Sequence, residues 1–482
     1  MWRFDCERNA RASSVVSRGW CALVAILVLC GCRSDRATSP TRSVPRNAVP
    51  LLSTLRLPAV DPVQEGLDAD GEDDGAVTIG PNLRALAIAE RAQLVALPPP
   101  PATRHPVVCD ILGFGEALYV AHVVQSIDEP GARIHRYDLA AETAPRWHLA
   151  FDWDREGAPP DAIGGVGGEG ISRLRSIAGR IHAADADTPG PGGYRRTEAR
   201  YEDYVFVSDE RGRFPDLEPD MTPPANSRIL PWSFHVFDVI GYRGALVASG
   251  GTGVYPSGPF PGGLWVGDTD ERVWPVRFEL GPRRGVVRTT FMHRFGGRLY
   301  IGFQNNRRRG IRPARFDLAV LTGDQRDPAT PEPALARVTS RGGWLTRRFA
   351  SGGGVLYWVA SRYRRGTSVL FESSDGQTFH PVELPSDAGE VQDIAVVGQT
   401  RYVLTRAGVY RATGRGPFTR IVRIATPGPF ARYDQFCSAP LVAYSDRLFA
   451  GATVDGRLFE IRPMRPTSGT SHEPHPAPAT QP

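Results

Sequence analysis

The chain reads as an all-β protein: a β-propeller of about seven four-stranded blades, with six or eight as alternatives. Three observations predict this. An apolar or aromatic pair after a Gly-rich turn recurs seven times, at Leu118-Tyr119, Ile181-His182, Leu246-Val247, Leu299-Tyr300, Leu356-Tyr357, Arg401-Tyr402 and Leu448-Phe449, in steps of 45 to 65 residues. Each pair follows another short apolar run and precedes a second strand pair, such as Tyr204 to Ser208, Leu264 to Gly267, Val369 to Glu372, Val409-Tyr410 or Arg457 to Ile461. Gly 52 and Pro 43 among 482 residues favour many turns over long helices. Four strands per unit at such periods is the pattern of blades stacked in a ring, because a single blade cannot bury both of its faces.

Before the repeats, Arg3, Arg8, Arg11 and Arg18 precede an apolar run from Trp20 to Leu29, too short to span a bilayer as a stable helix. The run ends in Leu29-Cys30-Gly31-Cys32. This resembles a bacterial lipobox, with Cys30 where Ala or Ser is usual. The resemblance implies that Cys32 is lipidated and becomes the first mature residue, and Arg33 after it implies transport to the outer membrane or cell surface rather than retention at the inner membrane. An ordinary secretory signal or an uncleaved anchor is the alternative. Residues 1–31 are thus expected to be a lipoprotein signal peptide, 32–104 a Pro/Ser/Asp-rich tether, 105–463 the propeller and 464–482 a disordered tail.

Within the tether, Leu83 to Leu97 carries enough apolar residues for one short helix, ended by Pro98 to Pro101. Asp68-Ala69-Asp70-Gly71 opens like a calcium loop, but no closing carboxylate follows, so a solvated acidic linker is the better account. Cys6, Cys21 and Cys30 would leave with the signal, and Cys32 would carry lipid. Cys109 and Cys437 remain, one at each end of the repeats, and an exported protein with cysteines so placed suggests a disulfide. Closing so long a loop stabilises by about 4–5 kcal/mol in the chain-entropy model. Two separately buried thiols are the alternative.

The position eight residues before each anchor pair holds Asp110, Arg173, Asp238, Phe291, Arg348, Asp393 and Pro440. An ionised Asp cannot sit in an apolar blade interface without partners, so this position is expected to face the central channel or its rim. Asp110, Arg173, Asp238, Arg348 and Asp393, with His235 three residues before Asp238, form the candidate ligand-binding set. A salt-bridged, water-filled channel is the other reading. His235 with neighbouring acids, and His182 with Asp185 and Asp187, offer no visible third ligand in metal geometry, so no metal site and no cofactor are expected. Arg307-Arg308-Arg309 with Asn305 and Asn306 is either a grip for an anionic group or a solvated loop. Gly164 to Gly170 lacks the strand-to-helix setting of a phosphate loop.

Ser373-Ser374-Asp375-Gly376-Gln377-Thr378-Phe379 resembles the Asp-box of sialidase-like propellers, one residue shorter and with Phe379 at the aromatic end. Gly267 to Trp274 and Ser208 to Phe214 look like eroded versions. In that family the box is a folding device, so the resemblance supports the fold across Val107 to Pro463 and assigns no catalytic residue. The family's Arg-Ile-Pro motif has lost its Pro in both Arg133-Ile134-His135 and Arg228-Ile229-Leu230.

All 57 basic residues are arginine, and the formal charge of +5 is interleaved with acids along the chain, unlike the concentrated positive face of a nucleic-acid binder. The expectation is a monomeric, lipid-anchored, exported binding or scaffolding module of the bacterial cell envelope. It would hold the membrane through Cys32 and a protein or glycan ligand on a propeller face, and would bind no nucleic acid. A sialidase-like carbohydrate-active hydrolase or lyase using channel acids such as Asp238 and Asp393 is the runner-up. A metal-dependent enzyme built on His235 is the third reading.

Overall fold

A computed structural model describes residues 92–100, 107–123, 132–140, 146–153, 170–186, 202–215, 226–252, 262–280, 286–305, 317–322, 334–337, 344–362, 368–425, 428–430 and 437–464. The lipobox, the acidic stretch from Asp68, Gly164 to Glu169, Asn306 to Arg309 and the tail after Met464 lie outside them. Among the described residues every regular element is a strand.

The strands, numbered β1 to β28 along the chain, form seven antiparallel blades. Six blades are built in simple order: β2 to β5 (first strand Val107–Phe114), β6 to β9 (Gly170–Ile177), β10 to β13 (Ser233–Tyr242), β14 to β17 (Val286–Phe295), β18 to β21 (Trp344–Gly352) and β22 to β25 (Val391–Val397). The first strand of each is innermost, and successive inner strands are neighbours around the ring. All seven anchor pairs fall on second strands, such as β3 (Ala117–Val123), which is buried along its whole length. Burial on both sides explains why these strands read as unbroken apolar runs rather than alternating ones.

The seventh blade takes β26 (Leu441–Tyr444), β27 (Arg447–Gly451) and β28 (Leu458–Pro463) from the end of the chain, and its outer strand from the beginning. That strand is β1 (Ala92–Ala96), paired antiparallel with β28 from Ala92↔Pro463 to Ala96↔Phe459. This corrects the helix expected over Leu83 to Leu97: its described part is a strand of the propeller, so the domain starts at or before Ala92 rather than at 105. The reason is tertiary. Among the described residues the C-terminal sequence supplies three strands to this blade, and the edge of β28 takes the segment Ala92 to Ala96, with Ala92 and Leu94 packing into the core.

Seven hydrophobic clusters hold the ring, one between each pair of neighbouring blades. The cluster between the last and first blades joins Phe449 and Leu458 to Val120, Tyr137 and Trp147. There the Trp147 indole N–H donates to the Pro98 carbonyl at 2.8 Å. Cys109 and Cys437 are bonded across the same seam, their Cα atoms 4.9 Å apart.

One end of the ring differs from the other. All seven first-to-second-strand connections are two residues long, including Arg243-Gly244, Gly296-Gly297 and Ser445-Asp446. Both residues of each of these three have positive φ, which matches the twist of paired strands; Arg243, Ser445 and Asp446 adopt it without being glycine. The opposite end carries the second-to-third-strand connections, which run from 5 residues (363–367) to 15 (187–201) in the first five blades. It also carries every crossover to the next blade.

Candidate functional site

The inner strands share a device that aims side chains at the axis. In six of them the pairing with the second strand slips by a residue or more, at Val108/Asp110, Ile171/Arg173, Val236/Asp238, Thr289/Met292, Thr346/Arg348 and Val391/Asp393. Such bulges rotate the following side chain out of the regular alternation. In five of the six, the residue after the slip is one of the charged candidates.

Four of these five residues join in one buried ion-pair network, and the fifth, Asp238, is buried in a separate pair. Arg348, on the fifth blade, places Nη1 2.7 Å from Asp110 Oδ1 on the first blade and Nε 3.7 Å from Asp393 Oδ2 on the sixth. Arg173 Nη1 is 3.3 Å from the same Asp110 oxygen. Asp238 is held by Arg175, whose Nε donates to Oδ1 at 3.0 Å and whose Nη2 donates to Oδ2 at 2.9 Å and to the Met292 carbonyl at 2.8 Å. Arg175 stands two residues after Arg173 on the same face of β6, and sequence reasoning missed it. The signal was there in Ser172-Arg173-Leu174-Arg175, two arginines at strand spacing in an apolar run.

Each aspartate also accepts a backbone N–H from the next blade: Asp110 from Leu174 at 2.8 Å, Asp238 from Met292 at 2.8 Å, and Asp393 from Leu441 at 2.8 Å. The three carboxylates therefore clasp the first blade to the second, the third to the fourth, and the sixth to the seventh. All six of their oxygens accept a bond, since Val239 and Ile394 N–H groups reach Oδ1 of Asp238 and Asp393 as well. The position thus carries buried ion pairs and hydrogen bonds between blades.

Burial raises the pKa of all three acids, opposed by Arg348 at Asp110 and Asp393 and by Arg175 at Asp238. For Asp393 the result is about 6, against an ordinary 3.8. An acid with a higher pKa folded than unfolded binds more protons folded. Its contribution to stability is therefore complete below about pH 4 and is lost as the pH rises through 6. Asp393→Asn fixes the neutral form. Between pH 4.5 and 7.5 its stability relative to wild type is expected to move in the variant's favour by about 2 kcal/mol. Urea unfolding at the two pH values checks this; a pH-independent difference means Asp393 is ordinarily acidic.

His235 stands apart from this network. It is buried at the irregular start of β10 with φ +63°, its ring 6.0 Å from that of Phe237. Burial and then the charge of Arg288 hold its pKa well below the usual histidine value. His182 is likewise buried, with its pKa lowered to about 4 chiefly by desolvation. No group of three or more His, Cys, Asp and Glu side chains able to hold a metal ion occurs among the described residues.

The turns singled out in the sequence are local caps. Asp375 Oδ1 accepts the N–H groups of Gln377 and Thr378, each at 2.7 Å, and the Ser373 hydroxyl at 2.8 Å, while Phe379 packs edge-on to Trp358. Those bonds hold the exposed Asp375 carboxyl well below the usual range. Asp209 makes the same kind of turn with the N–H groups of Arg211 and Arg213, and Phe214 is buried against Phe151. Trp274 is fully buried, its indole N–H donating to the Glu271 carbonyl at 3.0 Å.

No protein-family model matches the sequence, and comparison with curated proteins returns no match. Solved structures do align with it. The extracellular domain of BT4673 from B. thetaiotaomicron is 11% identical with a TM-score of 0.45, over 77% of this chain and 39% of that one, so the chain spans well under half of its length. The β-propeller domain of the Trilobed protease from Pyrococcus furiosus is 11% identical with a TM-score of 0.40, over 75% and 94%. The polysaccharide lyase Uly1 is 13% identical with a TM-score of 0.41, over 78% and 98%. At such scores the alignments carry no argument about function. The blades and their order define the class: this is a seven-bladed β-propeller.

Proposed function

We propose that the protein is an exported, lipid-anchored β-propeller that acts as a binding or scaffolding module of the cell envelope. Its ligand, a protein or a glycan, would be held at the loop-bearing end of the ring. The observation that carries this reading is the engagement of the axial acids. With every oxygen of Asp110, Asp238 and Asp393 accepting a bond, and Arg173, Arg175 and Arg348 bound to them, the centre is a rigid hub. Recognition is then left to the variable connections around it, the usual division between scaffold and loops. A buried disulfide agrees with an oxidising compartment. The lipobox at Cys32 supplies the membrane attachment, and the caps at Asp375 and Asp209 are read as Asp-box-like folding devices. The same engagement disfavours the hydrolase or lyase reading, which needs a carboxylate with an open oxygen.

Cell fractionation and metabolic labelling with palmitate test the anchor. Wild type is expected to label and to sediment with membranes, and Cys32→Ala to do neither. A labelled or membrane-bound Cys32→Ala protein removes the lipid anchor from the proposal. Cleavage of any member of a polysaccharide panel by wild type, abolished in Asp393→Asn, would replace the binding module with an enzyme.

A further inference from the structure

We infer that Arg348, assisted by Gln392, is the positioning residue for closure of the Cys109–Cys437 disulfide. The two cysteines are 328 residues apart in sequence and stand at the starts of the first and last blades. The guanidinium of Arg348, reaching from the fifth blade, donates through Nη2 to the carbonyl of Cys109 itself and to the carbonyl of Ser438, 3.4 Å away and next to Cys437. The same side chain is tied through Nη1 to Asp110, the neighbour of Cys109. One planar fork therefore grips the backbone beside both sulfurs.

The segment after Cys437 is held from the sixth blade too. The Ala439 N–H donates to Gln392 Oε1 at 3.3 Å, and the Leu441 N–H donates to Asp393 Oδ2 at 2.8 Å. Three contacts thus hold Ser438, Ala439 and Leu441 against the fifth and sixth blades, whose strands contain neither cysteine. Arg348 is 3% exposed and Gln392 is fully buried, so these bonds are sheltered from competing water. Holding both backbones in place raises the effective concentration of one thiol at the other. Lysine cannot replace this arrangement, since a single ammonium lacks the fork that reaches two carbonyls and a carboxylate together.

The step itself is thiol–disulfide exchange with a small-molecule disulfide such as oxidised glutathione. One cysteine thiolate attacks it and releases one reduced glutathione; the other thiolate then attacks the mixed disulfide and releases the second. One S–S bond forms in the protein and one is broken in the oxidant, and two electrons and two protons pass from the cysteines to glutathione.

The full-length protein, unfolded and reduced, would be refolded in glutathione buffers of graded ratio, and the Cys109–Cys437 peptide quantified by non-reducing peptide mapping. Arg348→Lys is expected to lower the equilibrium constant for closure about ten-fold. Arg175→Lys breaks a comparable buried pair without touching either cysteine, and is expected to leave the constant at its wild-type value. A wild-type constant in Arg348→Lys, or an equal fall in Arg175→Lys, overturns the inference. Should Arg348→Lys fail to fold, Gln392→Leu decides: a fall of a few-fold supports the inference, and no change overturns it.

Discussion

Replacing Arg175 with Met is expected to destabilise the propeller by about 3–5 kcal/mol, measured by urea unfolding at pH 7. The magnitude follows from burial. Arg175 and Asp238 have side-chain exposures of 1% and 0%, so removing the arginine strands a carboxylate among apolar strands with only two backbone N–H groups to hold it. An exposed pair such as Arg457–Asp455, at 46% and 41%, should contribute about 0–1 kcal/mol by comparison. Asp238→Asn added to Arg175→Met should recover most of the loss, because the amide oxygen still accepts the Met292 N–H while the stranded charge is gone. A loss below about 1 kcal/mol for the single variant would mean that water reaches the pair and that the axis is a wet channel.

The second large effect concerns closure of the ring. Cys109→Ser with Cys437→Ser is expected to lower stability by about 2–5 kcal/mol. Deleting Ala92–Ala96 should lower it by about 2–4 kcal/mol, through the apolar surface of Leu94, Ala92 and the β28 edge that is uncovered. Combined, the two changes should cost more than their sum. Each lock alone keeps the first and last blades together after the other is removed; with both gone, the seam lined by Trp147, Phe449 and Leu458 opens. Urea unfolding of the four proteins measures this coupling. Simple additivity would show that the hydrophobic seam closes the ring unaided.

How much of this was legible in the sequence varied with the physics behind each feature. The anchors were, because a strand buried on both faces must be apolar throughout, and Leu118-Tyr119 or Leu356-Tyr357 cannot be mistaken for a surface strand. The axial charges were legible as a set, since Asp110, Asp238 and Asp393 interrupt such runs. Their partners were not. Arg348 meets Asp110 across 238 positions of chain, and nothing local to either residue names the other. The bulges that aim these side chains left no composition signal. β1 misled for the same reason: Ala92 to Ala96 becomes a strand only because β28, more than three hundred residues later, offers it an edge.

The pairing of Ala92 with Pro463 has one more consequence. The propeller's first and last described strands begin and end side by side, at the end of the ring that carries the two-residue turns. Its linear order is therefore a choice of where to cut a circle. A chain in which a short linker joins Pro463 to Ala92 and new termini open at Arg243-Gly244 would retain every strand pairing, with only that one hairpin turn cut. The seam would then become an ordinary covalent connection.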